Sequence, residues 1–133
     1  MGAFRHLIEI GDPQGRRFER IEALVDTGAT NSVVQAPLLR RLGVEPLRRS
    51  TFVLADGRRV QREMGQTWVR LDGQAAIRLV VFGEADEEPL IGADTLEGLL
   101  LAVDPVGRRL VPTEGLLMRH AGASASVRLW RGR

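Results

Sequence analysis

The sequence predicts an all-β domain with one or two short helices. Two observations lead to this fold class. Short apolar or alternating segments recur along the chain, and clusters of turn-forming residues separate them, as at 11–15, 56–57 and 72–73. A length of 133 residues fits a single domain that can bury a modest core.

The first elements lead to one carboxylate. Residues 3–10 alternate and predict a strand, Gly11–Gly15 reverses the chain, and residues 17–25 predict a second strand that ends at Asp26. After Val34 the pattern changes to that of a short helix over 37–42. Pro37 fits its first position and Gly43 its C-terminal stop.

Residues 50–71 predict a hairpin. The pair Asp56-Gly57 indicates a two-residue turn, and the return strand offers Trp68 and Val69 to the core. A turn at Asp72-Gly73 and a strand over 75–82 follow. The acidic segment 83–89 is expected to be a solvated loop, since its spacing matches no calcium-binding hand.

The last elements surround a short apolar segment. Leu90-Ile91-Gly92 is expected to be buried, and Asp94 and Glu97 have the spacing of a helix capping box. Residues 99–103 and 108–111 predict a closing hairpin around 104–107. We therefore expect one domain over residues 1–118 and a flexible tail over 119–133.

Composition narrows the function classes. The formal net charge is +2, and all 19 basic residues are Arg, mostly in scattered pairs without stacking aromatic residues, so nucleic-acid binding is a minor alternative. The chain has no Cys and two distant His residues, so we expect no metal and no cofactor. No apolar run has the length of a membrane span and no signal-peptide pattern is present, so we expect a cytoplasmic protein without a membrane partner.

The segment from Ala23 to Val34 carries the chemistry. An apolar strand stops at Asp26, then Thr27, Gly28 and Ala29 precede a second apolar run. A carboxylate beside so many apolar neighbours needs hydrogen-bond donors or a functional reason. Gly28 permits a tight reversal and the close approach of a ligand. The simplest interpretation is a strand–loop–strand that presents Asp26 at the floor of a cleft, although an ordinary Asp-Gly turn is the structural alternative.

Asp26-Thr27-Gly28-Ala29 resembles the active-site loop of retropepsin-like aspartic proteases, in particular their single-domain bacterial and archaeal members. Leu90-Ile91-Gly92 resembles the family's apolar-apolar-Gly segment, which supports that loop, and the turn formed by Ala55, Asp56, Gly57 and Arg58 stands where the family has its flap. The resemblance implies a closed β-barrel or sandwich with a flap hairpin. Because the motif occurs once, it also implies a twofold homodimer.

The resemblance further implies a role for each site residue. Asp26 of each subunit would be catalytic and would activate a water against a peptide or protein substrate. Thr27 would brace the two loops across the dimer axis, and the Gly28 carbonyl would bind substrate. Family members with Arg after the supporting glycine pair it with an acid after the catalytic loop. Here Ala93 and Thr30 occupy those places, so that ion pair is not expected.

Two alternatives stay open beside an aspartic endopeptidase. One is a catalytically silent peptide-binding module that keeps the barrel and cleft. The other is an Arg-rich nucleic-acid-binding β domain. The charged flap tip also departs from the glycine-rich tips of many retropepsins.

Overall fold

A computed structural model of the protein describes residues 2–115 and residue 117. In chain order the elements are β1 (Phe4–Gly11), β2 (Phe18–Val25), β3 (Val33–Gln35), α1 (Ala36–Arg41), β4 (Arg48–Val53), β5 (Arg59–Leu71), β6 (Gln74–Gly83), β7 (Leu90–Ile91), α2 (Ala93–Gly98), β8 (Leu101–Asp104) and β9 (Arg109–Pro112). The predicted fold class, all-β with short helices, is confirmed. The predicted tail over 119–133 lies outside the described residues.

A closed barrel forms the body of the molecule. Its strands follow the order β1, β2, β7, β3, β6 and β5, and β5 pairs back to β1 at Glu9–Arg70 and Ile10–Val69. Closure leaves these six strands without a free edge between them. The first part of β5 instead pairs with β4 over 59–64, so this hairpin extends from the barrel.

Alternation along the strands explains the core. The strand side chains that point into the barrel are almost completely buried; they include Ile8, Ile10, Val25, Val34, Val69, Leu71, Val80 and Ile91, and Leu39 of α1 is buried against them. The expectation for Val69 is therefore confirmed, whereas Trp68 is half-buried and lies against Gly15. Trp68 follows the outward face because successive strand residues point to opposite sides.

The hairpin of β8 and β9 forms a second, two-stranded sheet, as predicted. Leu101 and Leu110 anchor it to the barrel core beside α2. In the part of the chain that the structure describes, no helix combines the length and hydropathy needed to cross a bilayer.

The turn of the β4–β5 hairpin differs from the prediction. Asp56-Gly57 indicated a two-residue turn, but the loop contains Ala55, Asp56 and Gly57, closed by a hydrogen bond from the Leu54 amide to the Arg58 carbonyl. Gly57 adopts a φ of 88° and ends the loop in the left-handed conformation. This is a type I turn followed by a bulge, which also suits an Asp-Gly pair.

Candidate active site

Asp26 lies at the carboxyl end of β2, where the loop to β3 begins. The Asp26 amide donates to the carbonyl of Ile91 at 3.0 Å, and the carboxylate Oδ1 accepts from the Gly28 amide at 2.9 Å. The side chain is half-buried, and Thr27 and Gly28 are exposed. Within residues 2–115 and 117, no Arg or His forms a salt bridge with Asp26. Its carboxylate is thus partly accessible to solvent beside two exposed loop residues.

The loop from Asp26 to Ser32 is fixed by the segment after β7. The Ala93 amide donates to the Ala29 carbonyl at 2.8 Å, and the Asp94 amide donates to the Thr30 carbonyl at 3.0 Å. β7 itself lies between the two strands that flank the loop, parallel to β2 and antiparallel to β3. The loop is thus held at both ends and along its length by backbone hydrogen bonds.

Gly92 makes this close approach possible. A Cβ built on Gly92 would lie 2.7 to 2.8 Å from the carbonyl oxygens of Ala29, Thr30 and Asn31. Those atoms are backbone atoms, so a side chain could be accommodated only by moving the loop. Leu90 and Ile91 supply the short strand beside it. The structure therefore brings Asp26–Ala29 and Leu90–Gly92 together in one unit.

A buried pair of hydroxyl groups completes the loop's support, and the sequence analysis missed it. Ser32 Oγ accepts from the Gly92 amide at 3.0 Å and lies 2.5 Å from Thr95 Oγ1. Both residues are at most 1% exposed. Such burial requires that each polar atom have a partner. The signal in the sequence was a polar residue directly before an apolar run, which does not identify its partner.

The capping-box prediction for Asp94 and Glu97 is wrong. α2 begins at Ala93, its N-cap is Gly92, and no side chain caps it. The first amides of α2 are already occupied by the carbonyls of Ala29 and Thr30, so a capping side chain is not needed. The Asp94 side chain instead accepts from Arg78 on β6 at 3.1 Å.

The predicted flap residues Ala55 to Arg58 form a self-contained tip. Asp56 accepts from the Arg58 amide at 3.0 Å and from Arg58 Nε at 2.8 Å. The amide hydrogen bond, with the guanidinium second, holds the pKa of the Asp56 carboxyl below its ordinary value. No hydrogen bond among the described residues joins this tip to the Asp26 loop. The two groups of predicted site residues are therefore separate in this single chain.

The acidic segment 83–89 is only in part the solvated loop that was predicted. Glu87 is half-buried and accepts from Arg62 Nη1 on β5 and from the Glu84 amide, both at 2.7 Å. Gln35 donates to the Glu87 carbonyl at 2.8 Å. Partial burial raises the pKa of Glu87, but the Glu84 amide and the Arg62 guanidinium together lower it further than burial raises it. Sequence reasoning missed this residue because its partners are distant in the chain.

An apolar groove of about 310 Å³ opens beside the Asp26 loop. Thr27 forms one wall, and α2 and β8 form the others through Leu96, Leu101 and Val103. In the described residues no group of three His, Cys, Asp or Glu side chains is placed to hold a metal ion. The groups available for chemistry at this site are thus the Asp26 carboxylate, the Thr27 hydroxyl and the adjoining apolar surface.

Two solved structures of viral proteases are similar to this chain. A solution structure of simian foamy virus (mac) protease is similar with a TM-score of 0.52, at 18% identity over 72% of this chain and 94% of that one. EIAV protease complexed with the inhibitor HBY-793 is similar with a TM-score of 0.51, at 19% identity over 83% of this chain and 93% of that one. No curated protein sequence matches the chain.

These two likenesses bear on the fold, and the sequence itself decides the family. The model of a protein family matches residues 17–98, which is more than half of the chain. This region contains the Asp26 loop, the β4–β5 hairpin and β7. The predicted resemblance to retropepsin-like proteases is confirmed. The chain belongs to the family described as gag-polyprotein putative aspartyl protease.

Proposed function

We propose that this protein is an aspartic endopeptidase that acts as a twofold homodimer. The observation that supports this most directly is the setting of Asp26. Its carboxylate is half-exposed on a loop whose backbone is fixed by hydrogen bonds to Ile91, Ala93 and Asp94. Such a loop holds a reacting group in place without further ordering during the reaction.

The chemistry requires two carboxylates, and each chain provides one loop of this pattern. A twofold axis beside Thr27 would place the Asp26 of the partner subunit next to that of the first. The exposed Thr27 and the apolar groove beside it suit such a contact, since they would otherwise face water. Thr27 would then brace the two loops across the axis.

In this dimer, the two Asp26 carboxyl groups share one proton, because adjacent like charges do not ionise together easily. The charged member takes a proton from a water held between them, and that water attacks the scissile carbonyl carbon. The protonated member gives its proton to the carbonyl oxygen as the tetrahedral intermediate forms. The carboxyl group that took the water's proton then passes it to the leaving nitrogen, the other carboxylate takes up a hydroxyl proton of the intermediate, and the carbon–nitrogen bond breaks, which restores the singly protonated pair. The Gly28 carbonyl and the flap tip, Ala55 to Arg58, would bind the peptide.

Ion pairing disfavours the nucleic-acid alternative. Several Arg residues that could contact phosphates are paired with carboxylates; these pairs include Arg5–Glu88, Arg40–Glu63, Arg41–Glu19, Arg58–Asp56 and Arg62–Glu87. Binding a phosphate backbone would require competition with these carboxylates.

A peptide-library digest by wild-type protein and Asp26→Asn tests the proposal. We expect wild type to cleave internal peptide bonds, and we expect the variant to lose activity by about 10²-fold or more, because it lacks the acid–base pair. A transition-state mimic of the pepstatin type should block the wild-type cleavage.

Asp72→Asn is the matched control for this digest. Asp72 lies in the β5–β6 turn with a φ of 49°, a conformation that Asn tolerates well. The control should cleave like wild type. If pure, folded Asp26→Asn retained wild-type activity, the proposed function would be wrong. If folded wild type bound peptides without cutting them, the silent binding module would replace it.

A further inference from the structure

Arg78 occupies an unusual position between the barrel wall and α2. Its side chain is 25% exposed and extends from β6, and Nη2 donates both to the Asp94 carbonyl at 3.0 Å and to Asp94 Oδ2 at 3.1 Å. One nitrogen therefore holds both the backbone and the side chain of the same residue. That residue is the one whose amide donates to Thr30 in the catalytic loop.

Two unfavourable features accompany this position. Gly98 lies in α2, where glycine is a poor helix former, but any Cβ there would collide with the Arg78 guanidinium. Arg78 Nε is buried and has no hydrogen-bond partner among the described residues. Burying an unpaired donor costs free energy. The stability of α2 alone would therefore not favour an arginine in this position.

We propose that Arg78 and Asp94 form a positioning pair that fixes the Asp26 loop through the first turn of α2. The path runs from the Arg78 guanidinium to Asp94, and from the Asp94 amide to the Thr30 carbonyl. The neighbouring Ala93 amide fixes Ala29 in the same way. Arg78 acts through Asp94 and is not itself a catalytic residue. The effect on catalysis rests on the proposed function.

The positive charge that pairs with α2 comes from Arg78, which lies outside the Asp26 loop. Ala93 and Thr30 offer no ion pair between the supporting segment and the catalytic loop. Here an arginine on a different strand binds the helix, and the helix amides bind the loop. Small displacements of a reacting group have large effects on rate. Loosening α2 should therefore lower the turnover rate more than it weakens substrate binding.

The variants Arg78→Met, Arg78→Lys and Asp94→Asn test this pair. Met keeps a long side chain against Gly98 but removes the donors, whereas Lys keeps a flexible cation with three donors. The matched control is Arg109→Met. Arg109 also pairs with an Asp, at 3.2 Å from Asp104, but it lies on the β8–β9 hairpin away from the loop.

Amide hydrogen exchange is the first measurement, and it does not depend on activity. We expect the Ala93 and Asp94 amides to lose protection by about tenfold in Arg78→Met and in Asp94→Asn, to recover most of it in Arg78→Lys, and to keep it in Arg109→Met. Unchanged protection of both amides in folded Arg78→Met would overturn the inference.

The second measurement is peptide cleavage at a protein concentration high enough to keep the chains dimeric. We expect kcat to fall about tenfold in Arg78→Met with KM nearly unchanged, and to be restored largely by Arg78→Lys. A fall of the same size in Arg109→Met, or a loss confined to KM, would also overturn it. Should wild type cleave no peptide, the proposed function fails, while the exchange data still decide whether the pair holds the loop.

Discussion

At the scale of single residues, the site depends on backbone contacts more than on side chains. The Asp26 carboxylate takes its hydrogen bond from the Gly28 amide, and its own amide is held by Ile91. These contacts set the position of the carboxylate without placing a fixed charge against it. A carboxylate held in this way can share a proton with a second copy of itself.

Gly92 gives the sharpest residue-scale prediction. Because a Cβ would contact three backbone oxygens, Gly92→Val should displace the Asp26 loop or destabilise the fold, by about 1–3 kcal/mol as for other overpacked sites. Urea unfolding would measure the stability, and peptide cleavage would report the loop position.

Gly115→Ala is the matched control for Gly92. A Cβ on Gly115 meets only Leu100 Cδ2, at 3.5 Å, which is ordinary van der Waals contact. The control should therefore be close to wild type. Wild-type stability and activity in Gly92→Val would show that the loop does not need this close approach.

At the scale of elements, strands and turns followed from the sequence more readily than the contacts between them. The Asp26 strand was predicted at 17–25 and is observed as β2, Phe18–Val25, because apolar alternation and flanking turn residues are local signals. Asp94 was misread because the amides of α2 are used by carbonyls some 60 residues earlier in the chain. A capping pattern cannot reveal that competition.

The same limit applies to the candidate site. The Asp-Thr-Gly-Ala motif and the Leu90–Gly92 segment could be matched as patterns, and the structure brings them together. Ser32, Arg78 and Glu87 act through partners that lie far from them in sequence. Each is an ordinary polar residue until the barrel closes, so its role could not be predicted from the amino-acid sequence.

Glu87 provides a pH prediction for the loop that leads into β7. Its lowered pKa means that the native state favours the ionised carboxylate, through the Glu84 amide and Arg62. This contribution is present above about pH 4.3, the ordinary pKa of Glu, and is lost as the pH falls through the lowered native value. Glu87→Gln should therefore be less stable than wild type near neutral pH, by about 1 kcal/mol after allowance for partial exposure.

Urea unfolding of both proteins between about pH 7 and pH 3 measures this difference, which should shrink toward the acid end. Glu84→Gln is the control, because the Glu84 side chain is exposed and the contact to Glu87 comes from its amide. A difference between wild type and Glu87→Gln that is constant with pH would contradict the ion-pair explanation.

At the scale of the whole molecule, one barrel provides half of the proposed site, so activity should depend on protein concentration. The specific activity of wild type should fall on dilution as dimers dissociate. Adding a roughly ninefold excess of Asp26→Asn should leave about a tenth of the wild-type chains in wild-type homodimers, if pairing is random. Activity per wild-type chain should fall to the same extent, because a mixed dimer has one carboxylate. Adding Asp72→Asn instead should cause no such loss. Specific activity that stays flat on dilution, with only monomers seen by analytical ultracentrifugation, would show that each chain works alone.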